Sequence, residues 1–262
     1  MSALPRELVD MVIDQLAGYP EPLGQFEPFE RVVNISGYST ISRKWLDRTQ
    51  KHHFKVVHFG GQDDLEKWRA AIEADHCGVS RHVRKLLCER LNTLEGFDDH
   101  IRAFKHVEEV EAKGGGIFCS ISVVNSLALL GSSLVKLEID GAPTTPHVMA
   151  SLLAALPRLR QLRVHQLEVE CDGNTTEFPS NIPFFEGANA LDLRLMDYLP
   201  GTLDWIPPTA QFRELRIYAS CVYNHPALVN QWIASSGSTL ECLATQWDLW
   251  GTCLASLARR HS

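Results

Sequence analysis

The sequence predicts an α/β protein in which one strand and one helix recur and stack, with a parallel sheet on one side and helices on the other. Seven segments carry the same alternation of apolar residues: VRKLLC, VEEVEA, LVKLEI, LRQLRV, ANALDL, FRELRI and LECLAT. They begin at positions 83, 107, 134, 159, 188, 212 and 240, in steps of 24, 27, 25, 29, 24 and 28 residues. A unit of this length buries its apolar side only by stacking on its neighbours.

The first element of the chain is a predicted helix over LPRELVDMVIDQL, residues 4–16, with Pro5 in its first turn. Its apolar side chains spread over roughly 200° of a helical wheel, which is wider than the single buried face of a surface helix. We therefore expect two burial partners for this helix. One is its own domain, and the other is the repeat array or another protein.

A second helix and a first strand follow. TISRKWLDRTQKHHF, residues 40–54, places Ile41 and Trp45 four residues apart, as on one helical face. KVVHF, residues 55–59, alternates apolar and polar side chains and is predicted to be the strand that leads into the array. The proline-bearing start of the segment between the two helices is predicted to be a loop.

No repeat is detectable before Lys55. We therefore expect a helical module at residues 1–55 and an array of about seven to eight repeats at residues 56–262.

Within each repeat, alternate strand residues face the core. The predicted core positions are Leu137, Ile139, Leu162, Val164, Leu191, Leu193, Leu215 and Ile217. TPHVMASLLAALPRL and HPALVNQWIASSGSTL are predicted outer helices, with Thr145 and Asn224 as caps. FPSNIPFFEGAN and YLPGTLDWIPPTAQ are too rich in proline for full helices.

The remaining strand residues face outward, and the register predicts two ladders across the sheet. The first ladder is Leu87, Glu111, Glu138, Arg163, Asp192, Arg216 and Ala244, and the second is Glu89, Lys113, Asp140, His165, Arg194, Tyr218 and Gln246. The candidate substrate-binding residues are those of the later repeats: Arg163, His165, Arg194, Arg216 and Tyr218. An acidic or phosphorylated segment is their natural complement.

A plainer alternative stays open for this face. Opposite charges can pair on a solvated sheet surface without binding any partner. In that case Asp192 and Glu214 would neutralise Arg194 and Arg216.

Composition excludes several classes of protein. Lys plus Arg number 25 and Asp plus Glu number 32, so the net charge of 25 − 32 = −7 argues against a nucleic-acid partner. No apolar run is long enough for a membrane helix, and the start resembles no signal peptide. We expect an intracellular protein, cytoplasmic or nuclear. Its seven cysteines lack disulfide or zinc spacing, so we expect reduced thiols.

The sequence also lacks motifs for chemistry. It contains neither G-x-S-x-G nor H-E-x-x-H, and GGG at Gly114 is without the Lys-Ser/Thr of a phosphate loop. We expect no catalytic site, no metal site and no cofactor.

The N-terminal elements resemble an F-box over about the first 58 residues. The resemblance consists of the Leu-Pro-x-Glu-Leu helix, the Ser-Arg-x-Trp helix and the Phe-x-x-Val exit that is common in fungal-type F-box proteins. It implies a three-helix F-box-like module followed by an irregular leucine-rich-repeat solenoid. By position, it assigns adaptor contacts to Leu4, Pro5, Leu8, Ile13, Leu16, Ile41, Ser42 and Trp45.

The same resemblance implies a function. The module would bind a Skp-family adaptor and, through it, a cullin, so the chain would be a non-catalytic substrate-recognition subunit of an SCF-type E3 ubiquitin ligase. The repeats would bind a protein substrate whose identity the sequence does not reveal. The alternative is a leucine-rich-repeat scaffold, whose N-terminal helices only cap the solenoid.

Overall fold

The protein is built on an eight-stranded parallel sheet whose strands follow the order of the chain. The computed structural model describes residues 7, 8, 10–13, 43–73, 78–89, 97–113, 121–140, 143–165, 168–169, 182–187, 189–194, 203, 205–218 and 225–246. The strands are β1 Val56–Phe59, β2 Lys85–Glu89, β3 Glu109–Lys113, β4 Lys136–Asp140, β5 Pro143–Thr144, β6 Gln161–His165, β7 Glu168–Val169, β8 Asn189–Arg194, β9 Phe212–Tyr218 and β10 Cys242–Gln246. Strands β5 and β7 pair separately, and the other eight form the main sheet.

Helices connect most of these strands. They are α1 Arg43–His53, α2 Gln62–Glu73, α3 Phe97–Ile101, α4 Ile121–Ala128, α5 Pro146–Ala154, α6 Pro183–Glu186 and α7 Pro226–Ser236. Residues 7, 8 and 10–13 are also helical, and short 3-10 helices span Val79–His82 and Gly237–Thr239. Neighbouring helices such as α4 and α5 pack together, as their strands do. The predicted α/β class is confirmed.

The outer helices begin where proline and a capping side chain allow. Thr145 caps α5, because its side-chain oxygen accepts a hydrogen bond from the Val148 N–H at 3.3 Å. The prediction that Asn224 caps α7 is wrong. The cap is His225, without a side-chain hydrogen bond, because Pro226 already occupies the first helical position.

The described residues of the two proline-rich connections form no long helix, as predicted. Helix α6 has only four residues, and residues 205–211 form turns between β8 and β9. Aromatic side chains fill the space instead: Phe212 meets Trp232 edge to face, with ring centroids 6.2 Å apart. The indole of Trp232 also donates a hydrogen bond to the Pro207 carbonyl oxygen at 3.1 Å, which ties the turn to α7.

Main-chain hydrogen bonds set the register at the start of the strands. The carbonyl oxygen of Lys55 accepts the N–H groups of Arg84 at 2.9 Å and Lys85 at 3.0 Å. The carbonyl oxygens of Arg84, Glu108 and Val135 each accept two N–H groups of the following repeat in the same way, at 2.8 to 3.0 Å. One carbonyl therefore receives two donors at each of these four steps, and the strands start level with one another.

The predicted core positions are confirmed. All eight inward residues, Leu137, Ile139, Leu162, Val164, Leu191, Leu193, Leu215 and Ile217, are at most 1% exposed. They belong to one continuous apolar cluster with the inner faces of the helices. Two buried polar groups also find partners there: Asn189 Nδ2 donates to the Phe184 carbonyl oxygen, and Ser236 Oγ accepts the Phe212 N–H.

Truncating a core leucine should destabilise the protein far more than truncating its outward neighbour. Leu162→Ala should lower the free energy of unfolding by about 2 to 5 kcal/mol, because it leaves a cavity between packed strands. Arg163→Ala, on the open face of β6, should change it by about 0.5 kcal/mol or less. Urea unfolding at neutral pH measures both values, and equal losses would contradict the register.

Candidate protein-binding surface

The outward residues of the sheet form the first predicted ladder. Glu111 is the register partner of Glu138, Glu138 of Arg163, Arg163 of Asp192, and Asp192 of Arg216. Strands in a sheet lie about 4.8 Å apart, so neighbouring side chains on the ladder can interact directly.

The second ladder runs beside the first one. It aligns Lys113 with Asp140, Asp140 with His165, and His165 with Arg194. The structure thus brings the five candidate residues Arg163, His165, Arg194, Arg216 and Tyr218 together on the adjacent strands β6, β8 and β9.

A bulge lies at one end of this region. Asn189 pairs with Phe212 and Ala190 with Glu214, so Arg213 is the extra residue of β9. Arg213 points to the exposed surface, where its Nε lies 3.1 Å from Glu241 Oε2. Beyond the bulge the register is regular again, which keeps Arg216 opposite Asp192.

On the early strands, one carboxylate joins two lysines. Glu111 lies 2.8 Å from Lys85 Nζ and 2.5 Å from Lys113 Nζ. Burial by itself would raise the pKa of Glu111, but the hydrogen bonds from Lys113 and Lys85 outweigh it and lower the pKa to about 2. The hydrogen bond to Glu111 in turn raises the pKa of Lys113.

On the later strands, each arginine has a carboxylate partner. Arg163 Nη1 lies 3.3 Å from Glu138 Oε2, across the strand pair. Arg194 Nε lies 3.3 Å from Asp192 Oδ1, and Arg216 Nη2 lies 3.6 Å from Glu214 Oε2. The ion pairs of the plainer alternative, Asp192 with Arg194 and Glu214 with Arg216, are therefore present, although they form within each strand and not between strands.

The paired charges are not equally exposed. The side chains of Arg163, Arg194 and Arg216 are 40%, 41% and 49% exposed, whereas their partners Glu138, Asp192 and Glu214 are 16%, 8% and 33% exposed. In all three pairs the guanidinium group is nearer the solvent than the carboxylate is.

An aromatic ring and an imidazole complete this part of the face. The guanidinium carbon of Arg194 lies 4.9 Å from the centroid of the Tyr218 ring, a cation–π contact. His165 Nε2 is buried without a hydrogen-bond partner. Burial, and secondarily the charge of Arg194, lower the pKa of His165, which favours its neutral form.

A shallow depression of about 110 Å³ opens between the arginines. Its lining is Gln161, Leu162, Arg163, Ala190, Leu191, Asp192, Glu214 and Arg216. Ala190 carries the smallest side chain among these lining residues. Sequence reasoning missed Gln161, Ala190 and Glu214 as site residues, although an alanine at an outward strand position between two arginine-bearing strands is a usable signal.

The structure describes the side chains of two of the residues that the F-box resemblance assigns to adaptor binding. Leu8 is 46% exposed, whereas Ile13 is 1% exposed and packs within the chain. Trp45 lies in α1, with its side chain outside the described part of the structure. Leu4, Pro5, Leu16, Ile41 and Ser42 lie outside the described residues.

Two more exposed apolar residues, which the resemblance does not assign, accompany Leu8. Met11 is 61% exposed and Val12 is 47% exposed. They follow Leu8 at the three- and four-residue spacing that places side chains on one side of a helix.

Within the ranges that the structure describes, no group of three or more His, Cys, Asp and Glu side chains could hold a metal ion. Nor does any helix in those ranges have the length and apolar character needed to cross a membrane. The thiol of Cys88 is free and fully buried, and burial raises its pKa, so it is unreactive.

Comparison of the chain with models of known protein families and with curated protein sequences finds no match.

Removing the shared carboxylate should destabilise the early strands at neutral pH. Glu111→Gln leaves Lys85 and Lys113 side by side without their anion, which should cost on the order of 1 to 3 kcal/mol. The pKa of Glu111 is lowered in the folded state, so its contribution is complete above the ordinary value of 4.5 and lost as the pH falls through about 2.

The measurement is urea unfolding of both proteins at neutral pH and at successively lower pH. The two stabilities should converge as the solution becomes more acidic. Glu109→Gln is the control, because Glu109 contacts only Lys136 among the ion pairs of the described residues and is more exposed. A constant difference between wild type and Glu111→Gln across the acidic range would contradict the assignment.

Proposed function

We propose that the chain is the substrate-recognition subunit of an SCF-type E3 ubiquitin ligase. Residues 1–55 would be an F-box-like module that binds a Skp-family adaptor and, through it, a cullin, and residues 56–262 an irregular leucine-rich-repeat solenoid that binds a protein substrate. The observation that carries the proposal is the two-sided N-terminal helix, on which Leu8, Met11 and Val12 are exposed while Ile13 is buried.

The exposed side of that helix supports adaptor binding. On a helical wheel, Leu8, Met11 and Val12 fall within about 100° of each other, and Ile13 lies about 100° beyond the nearest of them. The wide apolar arc is thus divided into one part that packs within the chain and one part that faces solvent. An apolar stripe left exposed on a helix marks an interaction surface more often than a solitary exposed leucine does.

The sheet supports the second half of the proposal. Eight parallel strands in chain order, with helical segments between most of them, fit the repeat spacing of 24 to 29 residues. Such an array presents a wide face of outward side chains, and the described part of that face carries arginine and tyrosine, two residues common at binding hot spots. No transfer chemistry is assigned to this chain, because ubiquitin transfer would occur on other subunits of the ligase.

The alternative is a leucine-rich-repeat scaffold whose N-terminal helices only cap the solenoid. Helix α1 contacts the 3-10 helix at Val79–His82, and Phe54, just after α1, packs edge to face on Trp68 at 6.0 Å. These contacts favour a capping role for α1. They do not involve Leu8, Met11 or Val12, and a scaffold function gives no reason for these three apolar side chains to be exposed.

Polar substitution of the exposed stripe should abolish adaptor binding while leaving the protein folded. Leu8→Ser combined with Met11→Ser removes two apolar contacts, each worth roughly 1.5 to 3 kcal/mol when fully buried, so the affinity should fall at least tenfold. Co-purification of the full chain with a recombinant Skp-family adaptor measures the effect.

The matched control is Leu129→Ser, which removes another exposed leucine, after α4 and on a different part of the protein. It should bind the adaptor as the wild type does. Unchanged urea unfolding of both variants shows that the fold is intact. Wild-type protein that fails to retain the adaptor would favour the scaffold.

A further inference from the structure

The outward face of β6, β8 and β9 indicates the chemistry of the partner that it binds. We propose that this face binds an acidic segment of a partner protein, in which anionic side chains flank a small uncharged residue that enters the depression at Ala190. The inference rests on the proposed function, because it specifies the substrate class of the substrate-binding face. The anionic groups are carboxylates or phosphates, since both are bound by arginine in the same way.

On these strands the positive charges of three arginines lie nearer the solvent than the negative charges with which they pair. In the ion pairs of Arg163, Arg194 and Arg216, the arginine is more exposed than its carboxylate partner. The largest difference is in the Arg194–Asp192 pair, at 41% and 8%. Although the pairs are neutral as a whole, a partner approaching from solvent meets the guanidinium groups first.

These arginines can still donate hydrogen bonds to a second anion. A guanidinium group has five N–H donors, and each ion pair here engages one nitrogen: Nη1 of Arg163, Nε of Arg194 and Nη2 of Arg216. The other nitrogens can bind a second anion. The carboxylates beneath also restrain the arginine side chains, and the ring of Tyr218 supports Arg194, so less side-chain entropy is lost on binding.

The early strands of the same sheet differ from the later ones in which charges are exposed. There the cation is not always the more exposed partner: Glu109 is 42% exposed and its partner Lys136 only 22%, although Lys113, at 54%, is more exposed than Glu111, at 15%. Glu89 is likewise more exposed than His58, which it contacts. Because exposed carboxylates accompany the cations on the early strands, the acidic part of a bound segment fits better over β6 to β9 than over β2 to β4.

The depression itself carries both positive and negative side chains in its lining. Its lining includes Arg163 and Arg216 but also Asp192 and Glu214, so the nearby charges cancel. An anion placed inside would approach both carboxylates, whereas an anion at the rim meets the exposed arginines. With Ala190 as the outward apolar side chain of the lining, the interior suits a small uncharged side chain. Anions on both sides of such a residue fit the whole arrangement.

The test is selection of binders by the purified full chain from a random peptide library that also contains phosphoserine. We expect enrichment of Asp, Glu or phosphoserine on both sides of a small uncharged residue. Synthetic peptides that differ only by Glu or phosphoserine at the flanking positions then show which anion binds more tightly. Enrichment of basic or wholly apolar peptides, or of none, would overturn the proposal.

Two variants locate the binding on the chain. Arg163→Gln combined with Arg216→Gln leaves the more buried Arg194–Asp192 pair intact, and it should weaken binding of the selected peptides at least about tenfold. Ala190→Leu fills the depression and should weaken binding similarly. The matched control Ala244→Leu enlarges an outward alanine of β10 on the first ladder, outside the lining of the depression, and should bind normally. Wild-type affinity in both test variants would refute the site.

Two further measurements separate this inference from competing explanations. Adaptor co-purification from the same preparations tests the proposed ligase function independently, because the peptide-binding face lies far along the chain from Leu8 and Met11. Sedimentation of the wild-type chain tests for self-association, since the acidic early strands of one copy complement the arginines of another. Self-association that the double arginine variant abolishes would identify a second copy as the occupant and overturn the proposal.

Discussion

The structure depends on the level start of its parallel strands. At four successive steps, one carbonyl oxygen accepts two N–H groups from the next repeat, beginning with Lys55 and ending with Val135. A shift of one residue would exchange the inward and outward side chains of a strand, placing Leu162 in solvent and Arg163 in the core. These hydrogen bonds therefore maintain both the apolar core and the pattern of charges on the opposite face.

That pattern gives one sheet face two different surfaces. On the early strands Lys113 is exposed beside Glu111, but the carboxylates of Glu109 and Glu89 are more exposed than their partners Lys136 and His58. On the later strands the carboxylates lie beneath the arginines, so an ion pair that is neutral as a unit still presents a cation to solvent. Surface ion pairs contribute little to stability, and their arrangement has more influence on which partner the face accepts.

The N-terminal helix also has two different sides, one buried and one exposed. Ile13 is buried, and Met11 and Val12, its near neighbours in the chain, are exposed. A helix that served only as a cap would not need apolar residues on its solvent side, whereas a helix that joins the array to another subunit needs them on both sides. The proposed adaptor contact and the proposed substrate contact thus lie on separate parts of the chain, as a receptor that connects two proteins requires.

The sequence by itself determined the α/β class, the strands of the main sheet, the eight core positions and the order of both ladders, because a period of two within strands and a regular repeat fix which residues face each other. It also indicated that Asp192 and Glu214 would pair with Arg194 and Arg216. Only the tertiary structure decided the relative exposure of each pair, the depression at Ala190 and the side of the N-terminal helix on which Ile13 is buried. Those features depend on side-chain conformations and on packing between distant segments, which local periodicity does not encode.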